Sequence, residues 1–263
     1  MKRNKPIFIF LIFAFGIPLP CSLLRGFCPL FQGGIGHLLL LGIASLAPTL
    51  AAILTVRISQ GKNAVKEFLR IHYRENLSLK YCILAFIIPT LFLTIGKGII
   101  YWLMPLNGGI KLPTIKKLII ILWALVAEEL GWRGYLQEKV EEYIGRRFIP
   151  LVVGSIWALW HYHFWIVDGI EIPLVIFTYC CIFESYGYYM MTKLSKGNIL
   201  PASIWHASSN LFFNIYLINP NWNNGSLKPY LIVNSIYTFY ILIFFVMGRR
   251  FIRGGLRKDS AST

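Results

Sequence analysis

Eight apolar runs, each about long enough to cross a bilayer, leave little else in a sequence of 263 residues. A spanning helix needs ~20 largely apolar residues. The runs fall at roughly 7–24, 37–56, 81–103, 116–136, 148–167, 172–192, 199–218 and 230–248. The connections are too short for a soluble domain of any size, and no internal repeat, Gly/Ser linker or low-complexity tract interrupts the pattern. The expectation is an all-α fold, a polytopic membrane helical bundle of about eight transmembrane helices. It forms a single integral-membrane domain over 1–263, with the chemistry in a core at about 116–218. A composition that is 56% hydrophobic and 14% charged agrees, because it lies outside the soluble globular range.

The formal net charge of +15 raises the question of nucleic acid. Nucleic-acid binders gather basic residues on a folded polar face, whereas here Lys and Arg sit between apolar blocks. Retained loops carry Lys and Arg, so these positions report orientation. With the N-terminus inside, nineteen of the 26 fall on the inner side. They are Lys2, Arg3 and Lys5, then six between Arg57 and Lys80, then Lys139, Arg146, Arg147, Lys193 and Lys196, and five from Arg249 to Lys258. Arg25, Lys111, Lys116, Lys117 and Lys228 fall outside, while Lys97 and Arg133 lie within runs. Both termini are therefore placed inside, the partner surface is the lipid bilayer, and no nucleic acid is expected. The stretch 57–80, with Val65, Phe68, Leu69 and Ile71 among basic residues, reads as an amphipathic helix on the cytoplasmic leaflet or as a solvated connector.

The first run follows Met1-Lys2-Arg3-Asn4-Lys5 but lacks a small-x-small cleavage site, so it reads as a retained helix rather than a signal peptide. The cysteines Cys21, Cys28, Cys82, Cys180 and Cys181 show no zinc spacing and suit small buried hydrophobes. Cys21 and Cys28 flank the first outer turn and form the one candidate pair.

Ionisable side chains inside spans carry the functional signal, since each costs ~2.5–3.5 kcal/mol at a helix centre. The fourth run contains Glu128, Glu129 and Arg133. They face the bundle interior, lie near the cytoplasmic end, or both. Glu129 and Arg133 are four residues apart and can pair. Glu128 points about 100° away around a regular helix, without a helix-local cation, which suits a general base. A purely structural polar knot is the alternative. The fifth run carries His161 and His163, about 200° apart on a helix, so the two do not serve one site. The seventh carries His206 and Asn210 on one stripe, where Asn can also be interhelical glue. Together these groups suit activation of a water and stabilisation of an oxyanion. Neither Gly-x-Ser-x-Gly nor His-Glu-x-x-His occurs.

Three boxes in order, Glu128-Glu129-x-x-x-Arg133, Trp157-x-x-x-His161 and His206-x-x-x-Asn210, resemble those of the CPBP family (CAAX proteases and bacteriocin-processing enzymes, or Abi) of intramembrane endopeptidases. The second has Trp where the family has Phe. The resemblance implies a chamber open towards the cytoplasmic leaflet, with Glu128 as base and His161 as its partner. It further implies that His206 and Asn210 stabilise the oxyanion and that Glu129 and Arg133 organise the chamber. It leaves open a zinc ion held by Glu128, His161 and His206, a weak ligand pattern by spacing alone. The implied substrate is a peptide or membrane-anchored protein, as in CAAX-type processing or bacteriocin maturation and immunity, at a bacterial cell membrane. Two other readings are a catalytically idle peptide-binding membrane protein and a small proton-coupled transporter.

Overall fold

The computed structural model describes residues 5–104, 109–167, 169 and 171–261, with backbone alone at 166 and 251–261. Lys2 and Arg3, counted above for orientation, lie outside the described residues. The described residues are helical, without strands. The chain runs through α1 (Lys5–Gly16), α2 (Pro18–Phe27), α3 (Gly34–Gln60), α4 (Lys62–Tyr73), α5 (Leu79–Leu103) and α6 (Ile115–Ala127). A seven-residue π-helix (Leu130–Leu136) leads into α7 (Gln137–Glu141). Then follow α8 (Ile149–Trp160), α9 (Tyr162–Val167), α10 (Leu174–Leu194), α11 (Leu200–Ile215) and α12 (Lys228–Ala261). Each expected run is helical. Four segments, Lys5–Phe27, Gly34–Gln60, Leu79–Leu103 and Lys228–Arg250, are long and apolar enough to cross a membrane. All five cysteines, Cys21 and Cys28 included, are free thiols.

Three of the runs are broken rather than regular helices, and each break has a physical remedy. In hydrocarbon a carbonyl that loses its helical partner must find another donor. Pro18 has no N–H to give the carbonyl four residues earlier. That carbonyl, of Ala14, accepts instead from Trp160 Nε1 at 2.9 Å, and Phe15 O accepts from the Tyr162 hydroxyl at 2.6 Å. At the end of α6, Val126 O accepts from Thr49 Oγ1 at 3.1 Å. At the end of α8, Trp157 O accepts from His161 Nδ1 at 2.8 Å. Similar side-chain bonds join unbroken helices. Phe86 O accepts from Thr90 Oγ1 on its own helix and from Ser208 Oγ across to α11.

Small residues set how closely the helices approach. A Cβ at Gly131 would lie 2.4 Å from the carbonyl carbon and oxygen of Pro48, so α3 and the π-helix meet backbone to backbone only because this residue is glycine. At Gly154 the nearest atom would be Ile182 Cα at 2.6 Å, which brings α8 against α10. On the far side of the bundle, α11 packs against α5 and α12, joined by Trp205 Nε1 and Ser209 Oγ on the Tyr237 hydroxyl.

The bundle has two chemically distinct ends. At one, α4 and the loops near 75, 140 and 196 are tied together. Ile199 N donates to His72 O (2.9 Å), His72 Nδ1 to Gly197 O (3.0 Å) and Asn198 Nδ2 to Glu75 O (2.8 Å), and Glu141 pairs with Lys193 and Arg146. The α4 helix is amphipathic as expected, but Ala64, Val65 and Phe68 pack against the core. At the opposite end, Lys97 Nζ donates to Tyr216 O and Gly109 O, and Lys111 N to Ile215 O.

Gly131→Ala is expected to lose ~1–3 kcal/mol from overpacking, read as a lower thermal midpoint of the detergent-solubilised protein. Gly98→Ala, where a Cβ meets nothing within 4 Å, is the control and should hold its midpoint. Equal midpoints in both variants would refute the close-approach argument.

Candidate functional site

Two of the three boxes lie at helix breaks. Glu128 caps α6 with φ −123° and ψ −42°, and the chain then widens into the π-helix carrying Arg133. π-turns inside helices are uncommon and concentrate at functional sites. His161 follows α8 with φ −68° and ψ 2°, ahead of α9. The third box stays within regular α11, where His206 and Asn210 share a face as the spacing predicts.

The residues form a buried layer and a layer that lines a chamber. In the buried layer, Glu129 Oε1 accepts from His206 Nδ1 at 2.9 Å, and Glu129 Oε2 lies 3.1 Å from Arg133 Nε. The expected Glu129–Arg133 pair is therefore present, with a histidine on its other side. The Arg133 guanidinium also sits over the rings of Tyr188 (4.7 Å) and Trp157 (5.2 Å), where the aromatic faces attract it. Tyr188 in turn stacks on His206. Glu129 and Arg133 have almost no exposed surface. Their mutual neutralisation, with imidazole and ring faces, offsets a desolvation cost that neither charge could sustain alone.

The chamber has a volume of about 950 Å³, and Glu128, His161, Glu184, His206 and Asn210 all reach its wall. Glu128 Oε2 accepts from Trp157 Nε1 at 2.7 Å, which fixes the carboxylate and leaves Oε1 for other partners. His161 uses Nδ1 on its own helix and His206 uses Nδ1 on Glu129. In both rings the remaining atom is Nε2. The geometry thus joins a carboxylate oxygen, two imidazole edges and an amide around one space, which suits proton transfer to and from a bound water and hydrogen bonding to an oxyanion.

His163 is buried against Trp160 and Phe164, away from the chamber lining, so the separation of the two histidines by helix face holds. Glu184, on α10, was missed. It accepts from the Tyr188 hydroxyl and so connects the chamber to the residue stacked on Arg133 and His206. Its signal was available as an acid within the sixth apolar run, but it belongs to none of the three boxes. As for zinc, no three His, Cys, Asp or Glu side chains among the described residues are grouped to hold a metal ion. The donors at Glu128, His161 and His206 do not form a ready ligand set.

The chamber also has a direction. Its lining comes from the early part of α3 (38–46), the first part of α6, residues 177–184 of α10, residues 206–214 of α11 and the start of α12. These segments approach the end that holds Lys97 and Lys111, remote from α4 and the basic loops.

Arg133→Leu should lose ~3–5 kcal/mol, because Glu129 is left buried with only an imidazole beside it. Adding Glu129→Gln to Arg133→Leu should restore part of that loss. Thermal unfolding followed by tryptophan fluorescence measures both, and a double variant no more stable than the single would contradict the pairing.

Comparison with known proteins agrees with the boxes. Residues 110–212 match the family model described as type II CAAX prenyl endopeptidase Rce1-like, a segment that includes all three boxes. A CAAX prenyl protease 2 of Methanococcus maripaludis is 25% identical over 126 residues, covering 44% of this chain and 46% of the relative. The aligned segment thus spans about half the length of that curated protein. Over residues 110–212, the chain is thus similar to the Rce1-like CAAX prenyl endopeptidases, the family that the three boxes resemble.

Proposed function

We propose that the protein is an intramembrane endopeptidase that hydrolyses a peptide or membrane-anchored protein with a water activated by Glu128. The observation that carries this reading is the convergence of Glu128, His161, His206 and Asn210 on one chamber wall. The similarity of residues 110–212 to the Rce1-like family model supports the same reading.

The chemistry follows from the contacts. Trp157 orients Glu128 through Oε2, so Oε1 takes a proton from the water while His161 Nε2 accepts its second hydrogen bond. The water oxygen adds to the scissile carbonyl carbon, and His206 and the Asn210 amide donate to the oxygen that gains charge. Glu128 then passes its proton to the amide nitrogen as the C–N bond breaks, leaving a carboxylate and an amine. Glu129 and Arg133 hold His206 in place from behind the wall. A largely apolar lining, with Phe164, Phe177 and Phe213 among it, suits an apolar stretch of polypeptide beside the cleaved bond. Both a CAAX-type substrate and a bacteriocin-like precursor fit that description.

The integral-membrane fold is read as eight crossings of a bacterial cell membrane, with both termini on the cytoplasmic side. The positive-inside distribution and the alternating direction of the helices between the two ends support this topology.

Mapping newly formed protein N-termini in membranes that express wild type or Glu128→Gln at matched levels tests the proposal. A set of termini should be lost at least 100-fold in the variant, whose thermal midpoint should stay within a few degrees of wild type. Identical termini in both samples would overturn hydrolysis. They would favour an idle peptide binder, or a transporter if vesicles then showed flux driven by a pH gradient. Chelation with 1,10-phenanthroline is expected to leave the termini intact, and a loss restored by added zinc would assign a metal to Glu128, His161 and His206.

A further inference from the structure

We infer that Glu184 is a positioning residue: it holds the Tyr188 hydroxyl, and through that ring it sets the plane in which His206 meets the chamber. The inference rests on the hydrolytic reading for the task of His206, while the control of ring geometry stands on the contacts alone.

An acid inside a span needs a reason, because it costs ~2.5–3.5 kcal/mol at a helix centre. Glu184 lies midway along α10 and reaches the chamber wall. What it engages is the Tyr188 hydroxyl, one turn further along the same helix. A hydrogen bond to a charged group returns ~1.5–3 kcal/mol, which at most offsets the cost. Fold stability therefore gains little from the acid, and the use of the bond is to be sought in what Tyr188 touches.

Tyr188 is fully buried, and its ring stacks on His206 with centroids 5.6 Å apart and planes 26° apart. The Arg133 guanidinium sits 4.7 Å over the same ring, and Trp157 meets it edge-on. Rotation of a tyrosine ring about χ2 is a broad torsion, so the plane has to be set from outside. A phenolic O–H lies in the plane of its ring, and an acceptor fixed on the same helix therefore selects one rotation. Glu184 is that acceptor.

The remaining freedom of His206 is removed elsewhere. Its neighbours Trp205 and Ser209 both bond the Tyr237 hydroxyl, which fixes α11 against α12, and Glu129 takes Nδ1. One bond at Nδ1 fixes a point on the imidazole and leaves the ring to swing about it. The face of Tyr188 removes that swing and so decides where Nε2 stands. Trp132, Arg133, Tyr188 and Trp205 are all fully buried, and none of the four lines the chamber. The control thus reaches His206 from behind the wall, while Glu184 and His206 themselves lie at it.

Glu184→Ala, Glu184→Gln, Tyr188→Phe and the double variant of Glu184→Ala with Tyr188→Phe test the inference by spectroscopy and by kinetics. In detergent-solubilised protein with isotope-labelled histidine rings, the nuclear magnetic resonance signal of His206 is identified among the five histidines by its loss in His206→Gln. Glu184→Ala and Tyr188→Phe should both move that signal, while Glu184→Gln, which keeps an oxygen for the hydroxyl, should leave it in place. The kinetic probe is a synthetic peptide spanning the bond defined by the termini lost in Glu128→Gln. On it, Glu184→Ala and Tyr188→Phe should each lower kcat ~10–100-fold with KM within about twofold of wild type. The double variant should be no slower than either single one, and Glu184→Gln should keep kcat within about threefold. An unmoved His206 signal in Glu184→Ala would overturn the inference. Losses that multiply in the double variant, or no rescue by Glu184→Gln, would overturn it in favour of direct contact between Glu184 and the substrate. A lowered thermal midpoint with unchanged kcat would reduce Glu184 to packing. The resonance requires no turnover, so absence of cleavage would sink the hydrolytic reading and leave the control of His206 to be decided by the signal. An unmoved signal with cleavage intact would leave hydrolysis standing.

Discussion

Hydrocarbon offers no hydrogen bonds, and that one constraint decides how this bundle is allowed to deviate from regular helix. Wherever the backbone departs from the i to i−4 pattern, a side chain, from another segment or from the next turn, has to meet the exposed carbonyl. The Ala14, Val126 and Trp157 carbonyls receive Trp160, Thr49 and His161 in this way. The requirement localises deviation, since a break survives only where a donor is already within reach. It also couples the breaks, because Trp157 gives its carbonyl to His161 and its indole N–H to Glu128. Residues of the first two boxes are thereby held by the same bonds that make the irregular backbone tolerable.

Charge obeys a parallel rule. Three ionisable residues in one span would be costly if they faced lipid, but their arrangement divides them by task. Glu129 and Arg133 neutralise one another in a closed layer, braced by ring faces and by His206. Glu128, one residue away, caps α6 with φ −123° and turns to the chamber, where Trp157 holds it. A regular α-helix would also separate Glu128 from Glu129, by about 100°. Within the π-helix that follows, Gly131 lets α3 close to backbone contact.

Hydropathy made the eight runs legible, because each must supply a full membrane thickness of apolar side chains. Spacing made legible the Glu129–Arg133 pair, the shared face of His206 and Asn210, and the divergence of His161 from His163. The breaks were harder to read. Pro18 announces a missing donor, but nothing in its neighbourhood says that Trp160, far along the chain, completes the carbonyl. The same holds for His206 and Glu129, whose contact depends on the angle between two helices. Glu184 was legible as a lone acid in an apolar run and was passed over because it stood outside the three boxes. The direction of the chamber was hidden for a deeper reason. Orientation is encoded in loops and the cavity in helix packing, so only a three-dimensional structure relates the two.

The layer of Trp132, Arg133, Tyr188 and Trp205 also has an electrical consequence. A wet recess reaching part-way through a membrane concentrates the transmembrane voltage over whatever thickness remains beneath it. Here that thickness is filled by aromatic rings and a self-neutralised ion cluster with no exposed surface. The same side chains that hold His206 in place therefore also close off the chamber with a layer of low polarisability and no net exposed charge.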